Sequence, residues 1–373
     1  MDVQSDEGQS DLVKVAVRVD ASLQIGTGHV MRCLTLAGAL RKLGAECRFI
    51  CREHPGNLIE LIREQGYVVH ALTHSASNEV VALSPAHAVW LGCSQADDAA
   101  VSAACLEEWP VDWLVVDHYA LDARWEELLQ SRCRQLMVID DLADRMHRCD
   151  LLLDQTLGRI TADYSALVPA RCELLCGSRF AMLRPEFSGL RDYSLQRRAH
   201  APLQHLLINM GGVDKDNATG LVLDALRDSP LPAECRITVV MGATAPWLAT
   251  VREQAKDMPW LTTVRVGISD MARLMADSDL AIGAAGATSW ERCCLGLPAI
   301  MLILASNQRM VAQNLELAGA VRVLHSVDEV YKKLPRYLQE LLSCPAHVSG
   351  MSRTAAAVVD GSGLAMVIQH LGR

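Results

Sequence analysis

The sequence predicts an α/β protein built from two Rossmann-like, doubly wound domains that face each other across a cleft. Apolar strands alternate with helical segments in the first half, which is the order typical of a parallel sheet. The second half begins the same alternation again near residue 205. Each half opens with a strand, a glycine turn and a helix, and 373 residues are too many for one ordinary core.

The first half contains short segments rich in Val, Ile and Leu, separated by glycine turns and longer helix-capable stretches. Its polar side chains cluster where the strands end, and that edge is where open parallel sheets bind ligands. We predict strands at 13–19, 46–51, 67–71, 113–117, 136–141 and 149–153, and helices at 31–43, 57–65, 94–108 and 124–132.

The second half follows a polar stretch, 191–202, that ends in proline and marks the expected domain boundary. We therefore expect a flexible leader over 1–12, a first domain over 13–195, a second domain over 203–345, and a final segment over 346–373 that packs back on the first domain. Predicted strands lie at 205–210, 236–241, 262–266, 280–283 and 297–304, and predicted helices lie at 217–226, 247–255, 270–277 and 286–296.

Composition excludes several classes of protein. A formal net charge of −9 argues against a general nucleic-acid binder. The 13 cysteines show neither paired nor finger spacing, which favours reduced, buried thiols in the cytoplasm over a metal site. No secretory signal is evident, and no apolar run approaches the roughly 20 residues that span a membrane.

A glycine turn, Gly26-Thr27-Gly28, follows the first strand and places His29 at the start of a helix. Free amides and the helix dipole at such a point attract anions and disfavour the imidazolium form, which suits a general base. The turn is neither a Walker A loop nor a full dinucleotide fingerprint. The alternative is ordinary turn chemistry with a histidine bonded to the backbone.

Two further turns in the second half are candidate phosphate sites. Gly211-Gly212 follows a strand, and 286–291 combines bare amides, two hydroxyls and Glu291 at a helix start. The amides suit a diphosphate, and a carboxylate one turn later can accept two ribose hydroxyl bonds. The alternative for 286–291 is an N-cap with a capping-box glutamate.

Polar residues end two first-half strands, with Asp117 and Tyr119 after one and Asp140 and Asp141 after the other. Each of them could simply cap a strand end. Two carboxylates could hold a metal, but no phosphate–metal motif surrounds them, so we expect neither metal nor cofactor.

Taken together, an ordered set of motifs resembles the hydrolase family of pseudaminic acid biosynthesis. Members release UDP from UDP-2,4-diacetamido-2,4,6-trideoxy-β-L-altropyranose. The resemblance covers roughly residues 13–370 and rests on the segments 25–34, 90–92, 115–119, 138–143, 152–155, 183–187, 209–214 and 283–291.

This resemblance implies a fold similar to glycosyltransferases of the B type, with UDP held mainly by the second domain. It implies that His29 activates a water, that Tyr119 lies near it, and that Glu291 takes the ribose hydroxyls. The candidate catalytic residues are His29 and Tyr119. The candidate substrate-binding residues are Gly26, Thr27, Gly28, Arg32, Asp117, Gly211, Gly212, Gly286, Thr288, Ser289, Glu291 and Asn314.

The expected function is metal-independent hydrolysis of a UDP-activated deoxy-amino sugar, with inversion, by a cytoplasmic monomer or weak dimer. The expected partner is the UDP-sugar substrate, without nucleic acid or membrane. Two alternatives stay open: a glycosyltransferase with the same cleft, and a non-catalytic nucleotide-sugar binding protein. No basic amphipathic membrane helix is visible in the first half, which favours hydrolysis over transfer to a membrane acceptor.

Overall fold

The computed structural model describes residues 12–73, 85–199 and 202–372, and it confirms the predicted fold class. Two fully parallel sheets, one in each half of the chain, carry helices on their faces. The predicted leader, apart from Leu12, lies outside the described residues. Within the described ranges, none of the helices has both the length and the apolar character needed to cross a membrane.

The first sheet has seven strands whose central members are buried along most of their length, as expected when helices cover both faces. The strands are β1 (Lys14–Val19), β2 (Glu46–Arg52), β3 (Val68–Leu72), β4 (Val111–Asp117), β5 (Cys133–Ile139), β6 (Leu151–Asp154) and β7 (Glu173–Cys176). Their spatial order is β3-β2-β1-β4-β5-β6-β7.

The second sheet has six strands and the same central arrangement. The strands are β8 (His205–Asn209), β9 (Arg236–Met241), β10 (Leu261–Val266), β11 (Leu280–Ala284), β12 (Ala299–Leu302) and β13 (Val321–Leu324). Their order is β10-β9-β8-β11-β12-β13. Five of these strands match strands predicted from the sequence, whereas β13, like β7 in the first sheet, was not predicted.

The helices fill the connections between parallel strands and cover the sheets. They are α1 (Gly28–Lys42), α2 (Ile59–Glu64), α3 (Gln95–Leu106), α4 (Ala123–Leu129), α5 (Pro185–Arg198), α6 (Ala218–Leu226), α7 (Leu248–Lys256), α8 (Met271–Asp277), α9 (Thr288–Cys294), α10 (Arg309–Leu317), α11 (Val330–Ser343), α12 (Pro345–Val358) and α13 (Gly363–Leu371).

Both sheets reverse their strand order at one point, between β1 and β4 in the first and between β8 and β11 in the second. A crevice opens outside the carboxyl ends of the strands at such a point, and ligands bind there. Parallel pairing puts Val19 beside Asp117 in the first sheet, and Asn209 beside Gly283 in the second. The glycine turns identified from the sequence follow these strands.

Each half of the chain contributes a helix to the other half. Helix α5 packs against α8, α9 and α12, and Arg191 on α5 donates to the carbonyls of Ala356 at 2.7 Å and Val359 at 3.0 Å. Helix α13 packs against α1, and the Trp113 indole donates to the Leu371 carbonyl at 2.9 Å. These exchanges couple the two halves of the chain.

Candidate active site

A cavity of about 620 Å³ lies between the carboxyl ends of the two sheets. Both strand-order reversals open into it, so its walls come from both halves of the chain. Predicted site residues that line it are Gly26, Thr27, Gly28, His29, Arg32 and Tyr119 from the first half, and Gly211, Gly212, Gly286, Thr288 and Glu291 from the second.

The two halves approach each other closely at the glycine turns. A Cβ added to Gly28 would lie 3.7 Å from the Ala287 Cβ, and one added to Gly212 would lie 3.1 Å from the Thr27 Oγ1. The absence of a side chain at Gly212 therefore leaves room for the Thr27 side chain of the other half, whereas a Cβ at Gly28 would be in ordinary van der Waals contact with Ala287.

His29 lies in the first turn of α1 and is held by a buried carboxylate. Its Nδ1 is 2.6 Å from Oδ1 of Asp117, which is fully buried at the end of β4. Arg32, one turn later on the same helix face, donates to both Asp117 oxygens, from Nε at 2.6 Å and from Nη2 at 2.7 Å. The imidazole ring is therefore fixed by a carboxylate that is itself held in place by a guanidinium.

The same contacts determine the ionisation state of Asp117 and the tautomer of His29. Burial opposes ionisation of Asp117, but the charges of Arg32 and His29 outweigh it and lower the pKa of Asp117 well below its usual range. An ionised Asp117 accepts the Nδ1 proton, so in a neutral His29 the lone pair is on Nε2. No hydrogen-bond partner for Nε2 occurs among the described residues, and the ring borders the cavity.

Tyr119 lies against His29 and extends the wall of the cavity. The two rings meet edge to face with centroids 4.6 Å apart, and Trp90 stacks on Tyr119 at 5.7 Å. The Tyr119 hydroxyl donates to Asp141 Oδ1. Burial, with the nearby Asp141 carboxylate, raises the pKa of Tyr119 well above its ordinary value, so the phenol stays a hydrogen-bond donor.

In the second half, the turn before α9 presents backbone amides. The amides of Gly286, Ala287 and Thr288 donate no hydrogen bond within the described part of the chain, and all three residues line the cavity. Ala287 occupies the N-cap position and provides no capping side chain. The capping-box alternative is therefore not what the structure shows, and the amides are available to an anion.

The helix after Gly211-Gly212 differs, because its amides are already occupied. Asp214 accepts from the amides of Ala218 at 2.8 Å and Thr219 at 2.9 Å, and Asn217 accepts from Gly220 at 3.2 Å. A carboxylate of the chain itself thus caps α6. The glycines before it line the cavity, while the amides before α9 form the candidate anion site.

Glu291 follows the amides by one turn and borders the cavity. Burial raises its pKa to about 7, although Arg184, whose Nη2 is 3.8 Å from Oε1, and Arg292 both favour the ionised form. Its carboxylate can accept hydrogen bonds from a vicinal diol beside the anion site.

Three predicted substrate-binding residues do not line the cavity. Asp117 is fully buried behind His29 and cannot touch a ligand while His29 and Arg32 cover it. Ser289 turns inward, where its hydroxyl donates to the Gly286 carbonyl at 2.6 Å. Asn314 donates to the Leu157 carbonyl at 2.6 Å and joins α10 to the first half outside the cavity.

Asn307 and Arg184 belong to the candidate site but were not among the predicted site residues, and the role of Asp141 was left open. Asn307, in the turn after β12, lines the cavity and reaches Tyr119 from the second half. Arg184 lies beside Glu291. Asp141 accepts from Tyr119 and from Arg32 Nη1 at 2.9 Å, whereas Asp140 is buried and pairs with Arg145 at 2.8 Å. The strand-end rule alone would have pointed to Asn307, because it follows a parallel strand.

In the described ranges, His, Cys, Asp and Glu side chains form no cluster of three that could hold a metal ion. The described cysteines are free.

The architecture is that of the B-type glycosyltransferase fold, in which two Rossmann-like domains enclose a cleft. The chain superposes on Acinetobacter baumannii MurG with a TM-score of 0.63 at 18% identity, over 96% of this chain and 99% of that one. It superposes on UDP-GlcNAc 2-epimerase from Neisseria meningitidis, solved with UDP-GlcNAc, with a TM-score of 0.62 at 12% identity, over 96% and 99% of the two chains.

The sequence comparisons are more specific. Residues 212–363 match the family model of the glycosyltransferase family 28 C-terminal domain. The chain is 26% identical, over 300 residues, to the UDP-2,4-diacetamido-2,4,6-trideoxy-β-L-altropyranose hydrolase of Campylobacter jejuni, a match that spans 80% of this chain and 95% of that protein. The resemblance indicated by the motifs is thereby confirmed.

Proposed function

We propose that this chain hydrolyses a UDP-activated 2,4-diacetamido-2,4,6-trideoxy sugar to free sugar and UDP. The observation that supports this most directly is the His29–Asp117 pair at 2.6 Å, in the same cavity as the second half's amides before α9, which donate no hydrogen bond within the described part of the chain. The first half would supply a base and the second half an anion site. The similarity to a hydrolase of such a sugar supplies the substrate class.

In the proposed complex the second half binds the nucleotide. The diphosphate lies on the amides of Gly286, Ala287 and Thr288, and Glu291 accepts bonds from the ribose hydroxyls. Donors that are already oriented toward developing charge need no rearrangement during the reaction. They stabilise UDP as it leaves, so a strong general acid is not required.

The first half carries out the attack. His29 Nε2 removes a proton from a water molecule on the face of the sugar opposite the leaving diphosphate, which gives inversion at the anomeric carbon. Asp117 keeps the proton on Nδ1 and stabilises the imidazolium that forms. The Tyr119 hydroxyl and the Trp90 ring border the space for the sugar.

The test combines product analysis with His29→Ala. We expect the wild type to release UDP and free sugar without any acceptor, and His29→Ala to lose about 10² to 10⁴ in turnover, the usual contribution of a general base. UDP affinity should persist, because uridine contacts lie in the other half. His70→Ala, on edge strand β3 outside the cavity, is the matched control.

Three results would contradict the proposal. Near-wild-type turnover of His29→Ala would remove the assigned base. UDP release that occurs only when an acceptor is added would instead establish a glycosyltransferase, and tight UDP-sugar binding without turnover would establish a binding protein.

A further inference from the structure

Arg292, on helix α9, is a buried cation without a carboxylate partner among the described residues. It is 2% exposed, and its Nη2 donates to the Ala284 carbonyl at 2.7 Å and to the Ser289 hydroxyl at 3.2 Å. Two buried arginines of the first half have carboxylate partners: Arg18 pairs with Asp20 at 2.6 Å, and Arg32 pairs with Asp117. Among the described residues, the Arg292 guanidinium donates only to neutral acceptors, a backbone carbonyl and a hydroxyl. Within the same ranges Arg198, at the end of α5, likewise donates only to neutral groups, but neither it nor its acceptors border the cavity.

The guanidinium lies directly behind the anion site. It bonds the last residue of β11, and a Cβ added to Gly283 would clash with its Nη1. Ala284 and Gly286 line the cavity, whereas Arg292 does not. One layer of backbone, from Ala284 to Gly286, therefore separates this charge from the cavity.

A buried charge without a partner opposes folding, because dipoles compensate it less well than an opposite charge does. Burial lowers the pKa of Arg292 to about 10, which leaves the side chain protonated at neutral pH. The adjacent Glu291, with its pKa raised to about 7, is only partly ionised there and offsets the charge incompletely. The free protein thus has a fixed positive charge beneath the amides of the anion site.

We propose that Arg292 is a positioning residue that supplies the counter-charge for the diphosphate of the bound nucleotide, acting through the backbone from Ala284 to Gly286 without touching the ligand. This inference rests on the proposed function, since it requires a nucleoside diphosphate at that site. The low dielectric of the buried layer lets the charge act across it with little screening.

The proposal makes a graded prediction, because a charge effect grows with the negative charge of the ligand. Removing the Arg292 charge should weaken UDP binding most, UMP binding less and uridine binding hardly at all. If Arg292 had only a structural role, its replacement would distort α9 and displace Glu291 and the cavity wall. The binding of all three ligands would then weaken to the same extent.

The experiment is calorimetric titration of the full chain with uridine, UMP and UDP. We expect Arg292→Met to lower UDP affinity by about 10-fold or more, and Arg292→Lys, which keeps the charge, to stay within about 3-fold of wild type. Arg292→Gln is a second neutral variant that retains an amide donor toward the Ala284 carbonyl, and it serves if the Met variant does not fold. Arg322→Met, on edge strand β13 outside the cavity, is the matched control.

The inference is overturned if the neutral variants bind UDP as tightly as wild type, or if they weaken uridine as much as UDP. Retained UDP affinity in Arg292→Gln would likewise show that a hydrogen bond, not a charge, is what the site needs. A wild-type chain that binds no UDP would instead overturn the proposed function itself, so the two failures are distinguishable.

Discussion

The two strand-order reversals of this molecule have the same topology and different chemistry. At the first, between β1 and β4, titratable side chains line the cavity, namely His29, Arg32 and Tyr119, and Asp117 is buried behind them. At the second, between β8 and β11, the cavity is lined by the backbone amides before α9, with Glu291 beside them, while the Asp214 carboxylate caps α6. The proposed site for proton transfer and the proposed site for an anion thus occupy equivalent places in two similar domains.

The difference shows how one architecture can be used for two tasks. Side-chain networks hold a reactive group in one tautomer, while backbone amides bind negative charge without titrating near neutral pH. The comparison makes a general prediction: changes in the first half should alter turnover, and changes in the second should alter nucleotide affinity.

The largest effect is expected for Asp117→Asn, which tests whether the first half acts through the histidine tautomer. An amide at this position can present its NH₂ group to Nδ1 and so favour the wrong tautomer of His29. We expect turnover to fall by about 10² to 10⁴, with UDP affinity within about 2-fold of wild type. Steady-state kinetics and UDP titration measure the two quantities.

Asp112→Asn is the matched control, because Asp112 lies on the same strand at the end away from the cavity and accepts the Lys14 amide at 2.9 Å. Its turnover should equal that of the wild type. If Asp117→Asn lost UDP affinity and turnover to the same extent, the division of tasks between the halves would be refuted.

A smaller effect is expected for Glu291→Gln, which tests the nucleotide side. Loss of the charged acceptor should lower the affinity for UDP by about 10-fold at pH 8. The rate at which bound substrate is converted should change little. Because burial raises the pKa of Glu291 to about 7, the carboxylate is ionised above that pH and protonated below it. Wild-type affinity should therefore fall as the pH drops through about 7.

UDP itself also titrates in this range, so the informative quantity is the wild-type affinity divided by that of Glu291→Gln. That ratio should approach one near pH 5.5, while 2′-deoxy-UDP, which lacks one hydroxyl, should show a smaller ratio at pH 8. A ratio that did not change with pH would remove Glu291 from the ribose site.

The sequence predicted the fold from local patterns, because buried parallel strands leave strong apolar runs. The two strands it missed, β7 and β13, are only four residues long and lie at sheet edges. Short edge strands bury less apolar surface and resemble loops. The glycine turns and His29 were visible because turn chemistry and helix starts are local signals.

Residue roles that depend on tertiary contacts were not visible. No local pattern shows that Asp117 lies behind His29 and does not face a ligand, because the two residues are 88 positions apart in the chain. The sequence predicts that the Ser289 hydroxyl is available to a ligand, but in the structure it donates to the Gly286 carbonyl. Asn307 and Asn314 lie seven positions apart, and only the packing of α10 against the first half decides which of them enters the cavity.

The smallest effect concerns the contact between the two halves. A Cβ on Gly212 would lie 3.1 Å from the Thr27 Oγ1 and 3.2 Å from its Cγ2, and the Gly242 amide, which donates to the Gly212 carbonyl at 3.1 Å, prevents the turn from moving back. We expect Gly212→Ala to reduce turnover by about 5-fold by holding the halves slightly apart.

Thr27→Ala removes both crowding atoms, so the double variant separates two explanations of that loss. If Gly212→Ala acts by keeping the halves apart, adding Thr27→Ala should restore turnover to within about 2-fold of the Thr27→Ala single variant, a non-additivity that a double-mutant cycle measures directly. If the added methyl instead obstructs the nucleotide, UDP affinity should fall in both Gly212 variants and Thr27→Ala should restore nothing. Rescue would show that the two walls must meet before the base and the anion site can act on one substrate; its failure would assign Gly212 to the nucleotide side alone.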